Sequence, residues 1–169
     1  MRLAHLAVVS AAVLGLSTPA FAADSSLALV ARLFGGFIDG GEAIQGSLGK
    51  GQVKQTAEGV FEVTFGKGVA TFLYDEPDTC VFTQHVQMAD EQPSDARLDF
   101  TKITGIEVRD QGEWEGLHAA LITFAGPPEV LQVVMGDKLV PQQPAFAFIA
   151  SSTTVDEFNA AATEMQRIC

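Results

Sequence analysis

From residue 60 to residue 150 the apolar side chains recur at every second position in run after run, and this period of two constrains the fold more than any other feature. Phe61, Val63 and Phe65 alternate with Glu62 and Thr64. Gly66, Lys67 and Gly68 then supply turn residues able to take positive φ, and residues 69–74 return as the second arm of a hairpin. Further runs follow at 79–88, at 98–108 with an interruption near Thr104 and Gly105, and at 117–124, 130–135 and 145–150. Pro77, Pro93, Gly112, Pro127, Pro128, Gly136, Asp137 and Pro144 punctuate them. Strand following strand through short connections pairs antiparallel. The expectation is an α+β fold: a curled or barrel-like antiparallel sheet of about seven strands, with an N-terminal and a C-terminal helix packed on it.

The helices are read from period and caps. Residues 24–38 open on Asp24, Ser25 and Ser26, all cap formers, and carry Leu27, Val30, Ala31, Phe34 and Ile38 along one stripe. Leu29, Leu33 and Phe37 widen that stripe most of the way round, so the helix must be covered on more than one side. Packing across the sheet is the plain expectation, and a dimer through the 24–38 helix is the alternative. At the other end Thr154 and Glu157 have capping-box spacing ahead of Phe158, Ala161, Ala162, Met165 and Ile168 at helical intervals. Between the first helix and the strands lie Gly40, Gly41, Gly46, Gly49 and Gly51, which read as a flexible link. The chain so divides into a helix with its link, 23–51, and a β domain ending in a helix, 52–169. This order of strands closed by a C-terminal helix is similar in layout to pleckstrin-homology-like barrels; no residue motif is shared, and layout implies no activity.

Residues 1–22 have the pattern of a secretory signal peptide: Met1 and Arg2, an apolar run from Leu3 to Leu16, then Ala20, Phe21 and Ala22 as the cleavage signal. Such a run is too short to span a bilayer. A periplasmic or extracellular location follows as an expectation, with no lipid anchor, since Cys80 is the first cysteine. In an oxidising compartment Cys80 and Cys169 should pair. Alternation places Cys80, Phe82, Val86 and Met88 on one strand face, with Gln84 as an exception, and His85 on the other. Cys169 follows Met165 by one helical turn, so both cysteines belong to the core side.

Ten basic residues against twenty-one acidic ones give a formal charge of −11. That field repels nucleic acid and favours basic partners. The glycine-rich stretch lacks both the phosphate-loop and the dinucleotide spacings, since Ile44, Gly51 and Lys54 stand where those patterns need other residues. No G-x-S-x-G is present, and no zinc-ligand spacing. Asp75, Glu76 and Asp78, and again Asp90, Glu91 and Asp95, are acidic clusters without the register of a calcium loop. No metal or cofactor is therefore expected beyond weak calcium binding. His118, in step with Ala120, Ile122 and Phe124, reads as a histidine on a packed strand face. His85 is left as a polar candidate without a partner. Trp114, between Glu113 and Glu115, is either a partner contact or, as is commoner for tryptophan, a plug at the end of the sheet.

These features point to an exported, non-enzymatic binding protein for a protein partner or a small apolar ligand, with a cavity inside the sheet lined by residues such as Phe61, Phe65 and Phe82. Two alternatives stand beside it. One is an inhibitor or immunity-type protein whose acidic surface meets a basic enzyme; the other is a hydrolase working through paired carboxylates.

Overall fold

The computed structural model describes residues 25–88, 93–135 and 138–169. The signal-peptide pattern, Asp24, Asp90, Glu91 and the turn at Gly136 and Asp137 lie outside them. Helix α1 (Ser26–Gly35) leads into β1 (Glu42–Gln45), β2 (Gly49–Ala57), β3 (Val60–Phe65), β4 (Gly68–Asp78), β5 (Val81–Met88) and β6 (Ser94–Asp99). Then come β7 (Gly105–Trp114), β8 (Leu117–Ala125), β9 (Leu131–Met135), β10 (Lys138–Pro141), β11 (Phe146–Ser151) and helix α2 (Val155–Ile168). All eleven strands join one antiparallel sheet in the order β10-β9-β6-β5-β4-β3-β2-β1-β11-β8-β7.

The sheet is curled but not closed: β10 and β7 are its edges. The curl is visible in the rings. Phe100, just after β6, stacks edge-on against Phe124 of β8 at 6.1 Å although seven steps of strand order separate the two strands. Into the concave side go both helices. Leu29, Val30, Ala31 and Leu33 of α1 are buried, and Phe37 beyond it packs edge-on against Phe72 at 4.6 Å and against Tyr74 at 6.4 Å. Burying one such phenylalanine contributes about 1.5–3 kcal/mol. Gly36 ends the helix in the left-handed conformation (φ 68°), and a Cβ there would lie 2.4 Å from Ile149 Cγ2, so only glycine lets the chain turn against β11. Helix α2 is started by the capping box expected from Thr154 and Glu157 and buries Phe158, Ala161, Ala162 and Met165.

The strand count exceeds the expected seven, and the reason is local. The glycine-rich stretch read as a link is itself β1 and the start of β2, in register with each other from Glu42↔Gln52 to Gln45↔Gly49. Gly51 is a strand residue because a Cβ there would lie 2.7 Å from the Phe65 ring and 2.8 Å from Val63; glycine marks a close approach and not a break. The run at 98–108 divides at a 3₁₀ turn (Phe100–Lys102), giving the end of β6 and the start of β7, and a short β10 pairs antiparallel with β9.

Candidate binding cleft

Cys80 and Cys169 are joined, with Cα atoms 5.6 Å apart, so the bridge ties the end of α2 to the turn between β4 and β5. That turn also accounts for the acidic cluster before it. Glu76 accepts the Cys80 N–H at 2.8 Å on one carboxylate oxygen and the Ser26 hydroxyl at 2.8 Å on the other, and Asp78 accepts the Thr79 N–H at 2.9 Å. These carboxylates hold backbone. Among the described residues no group of three or more His, Cys, Asp and Glu is arranged to hold a metal ion.

Gln84, the exception in the β5 alternation, does face inward. It pairs across the strands with Tyr74, and its Nε2 donates to the Tyr74 hydroxyl at 2.6 Å. Tyr74 is buried, and burial drives its phenol well above the ordinary tyrosine range, with the Gln84 hydrogen bond opposing. Beyond this pair toward Met88 the core is left unfilled. A cleft of about 420 Å³ opens there, walled by Phe34 of α1, Leu48 at the turn between β1 and β2, Phe72, Val86, Met88 and Ala147, with Gln45, Gln84 and Ser94 as its polar groups. Phe146 and Phe148 of β11 form its rim. The volume falls within the range of small-molecule sites, and the exposed lining is about as polar as it is apolar. Phe61, Phe65 and Phe82 are not its walls; they are solid core, at 6 % exposure or less.

Trp114 does not plug the sheet. It ends β7 at a two-residue turn in which Glu115 (φ 51°) and Gly116 (φ 78°) both take positive φ, and it stays 52 % exposed, edge-on to Phe148 at 5.6 Å. Phe146 and Phe148 are exposed to a similar degree, so three aromatic rings lie at the surface beside the cleft. The period-two pattern marked residues 145–150 as a strand but gave no hint that Phe148 would meet Trp114, because that contact depends on β11 returning beside β8.

His85 finds partners that the sequence left unnamed. Its Nδ1 stands 2.9 Å from Asp95 Oδ1 and its Nε2 stands 3.5 Å from Asp75 Oδ2. All three sit on the convex face of β4, β5 and β6, opposite the cleft side. His118 is exposed, not packed, although Ala120, Ile122 and Phe124 at the same parity are buried. No helix among the described residues is long and apolar enough to cross a membrane. Comparison with protein-family models, with curated proteins and with solved structures finds no match for this chain.

Proposed function

We propose that this is an exported, non-enzymatic binding protein that takes an apolar group into the cleft between α1, β5 and β11. The single observation that carries the reading is an open cleft at the end of the hydrophobic core: Phe72 of the buried cluster and the partly buried Phe34, Val86 and Met88 beside it line about 420 Å³ of space that opens to solvent. An open cleft of this size, with apolar side chains among its walls and Gln45, Gln84 and Ser94 beside them, can seat an apolar group that carries a polar neighbour. No Lys or Arg lines it, and the protein's charge is −11, so the ligand group is neutral or cationic. Export is supported by the pattern of residues 1–22 and by the disulfide. Against hydrolysis, the His85 cluster stands on the opposite face from the cleft and lines neither it nor the smaller cavity by Cys169.

The test is a fluorescence titration with the neutral probe N-phenyl-1-naphthylamine. Saturable, blue-shifted emission that is lost when the cleft is filled by Val86→Trp supports the proposal. Emission that never saturates, or that survives Val86→Trp in a folded protein, overturns it.

A further inference from the structure

The edge of β11 says what kind of molecule carries that apolar group. Ala145 C=O accepts from Phe124 N–H at 2.9 Å on the β8 side, and Ser152 N–H donates to Glu42 C=O at 2.8 Å on the β1 side. Backbone groups alternate along a strand. Residues 145, 147, 149 and 151 therefore address β8, and residues 146, 148, 150 and 152 address the β1 side. β8 answers along the whole strand, from Phe146↔Thr123 to Ser151↔His118, whereas β1 answers only from Ala150 to Ser152. Among the described residues no backbone partner stands opposite Phe146 or Phe148. Two N–H and two C=O groups, two residues apart as in any strand, so face the mouth of the cleft.

We infer that the occupant is an extended polypeptide segment that adds to β11 as a strand, places an apolar side chain in the cleft and sets basic residues against the acidic hairpin tip. The inference rests on the cleft reading above and names its ligand class. Strand addition uses main-chain hydrogen bonds for affinity and a pocket for an alternate side chain, and β11 with its adjoining cleft supplies both. Native edges are normally blunted by lysine, proline or a bulge. The Phe146–Ala147–Phe148 edge carries none of these, and Phe146, Phe148 and Trp114 give it an apolar flank. Charge then chooses between partners. Trp114 lies between Glu113 and Glu115 with Asp110 on the same hairpin, and the nearby Arg109 is already held by Glu107 at 2.8 Å. A second copy would bring the same acids and the same net charge of −11 against them, so the partner is a different, basic chain.

The probe is a short blocked peptide of alternating Lys and Val, compared with its analogue N-methylated at alternate residues and with a Glu–Val peptide. Hydrogen exchange at the Phe146 and Phe148 amides should slow on adding the Lys–Val peptide. Two lost main-chain hydrogen bonds should weaken the N-methylated analogue about tenfold or more. In the protein, Phe148→Pro removes the edge donor without touching the β8 ladder and should bind the peptide several-fold more weakly than Phe148→Ala, which keeps it. Equal binding of the peptide and its N-methylated form overturns strand addition, as does absence of protection at both amides. Protection that appears without peptide and grows with protein concentration means self-pairing and also overturns it. If the naphthylamine probe binds while the peptide does not, strand addition falls and the cleft reading stands; if neither binds, both fall.

Discussion

His85 and Asp95 face each other across β5 and β6 in register, Nδ1 to Oδ1 at 2.9 Å, with Asp75 on the far side of the ring. All three are between a third and a half exposed, and pairs of that kind are screened by water and contribute about 0–1 kcal/mol. Replacing His85 by Ala should lower the unfolding free energy by no more than about 1 kcal/mol in a urea titration. It should leave naphthylamine binding unchanged, because parity puts His85 on the opposite face from Gln84, Val86 and Met88. A loss of probe affinity in a stably folded variant would show that the two faces are coupled.

Tyr74 and Gln84 set up an asymmetric pair. Tyr74 is enclosed, while Gln84 lies at the wall of the cleft within reach of solvent. Removing the phenol oxygen with Tyr74→Phe leaves an amide that water can satisfy and should cost about 1 kcal/mol. Removing the amide with Gln84→Leu leaves a buried hydroxyl alone and should cost about 1–3 kcal/mol. A double-mutant cycle gives the pairwise part. If Tyr74→Phe proves the costlier change, the hydroxyl has some other partner.

How much of this was legible in the sequence follows from range. Local rules worked where the physics is local: the Thr154–Glu157 box forms, and Phe61, Val63 and Phe65 of β3 and Phe82 of β5 are buried as the alternation marks, whereas α1 stops at Gly35, short of the expected Ile38. Gly51 misled, since a glycine chosen for close approach by Phe65 is spelled the same as one chosen for freedom. The cleft was beyond reach for another reason. Its walls come from α1, the turn before β2, β4, β5 and β11, and only the return of β11 beside β1 and β8 brings Ala147 opposite Val86. His85 looked solitary because Asp95 lies across a hairpin whose register the sequence does not state.

Acid should weaken the start of α2. The Thr154 N–H donates to Glu157 Oε2 at 2.7 Å, and this bond, with burial opposing and the Thr154 hydroxyl assisting, holds the carboxyl below its ordinary 4.5. Asp99 is likewise lowered: burial works to raise it, but the Thr101 hydroxyl and the Lys102 ammonium at 3.2 Å outweigh burial. A carboxyl depressed in the folded state adds stability above its unfolded pKa and loses it as pH falls through the folded one. Stability should therefore decline as pH drops below 4.5. Glu157→Gln, which still accepts from Thr154 but cannot titrate, should make that decline shallower. Urea midpoints at neutral and acid pH measure it, and an unchanged slope would rule Glu157 out as a contributor.

The bridge between Cys80 and Cys169 spans 89 positions, so it removes a long loop's worth of freedom from the unfolded chain. On the chain-entropy account that is worth about 4–5 kcal/mol, a large part of the 5–15 kcal/mol that a domain has in total. The double variant Cys80→Ala, Cys169→Ser should lose stability on that scale in urea. Local effects should appear first in α2, whose C-terminus has the bridge as its covalent tie to the sheet, and hydrogen exchange along Phe158–Met165 should quicken before exchange in β3 and β4. The bridge lies at the Val81 end of β5 and the cleft at the Val86–Met88 end. Below its lowered melting point the variant should therefore still bind the naphthylamine probe with unchanged affinity. An unaltered urea midpoint would mean that the reduced unfolded chain keeps these two ends together without the bond.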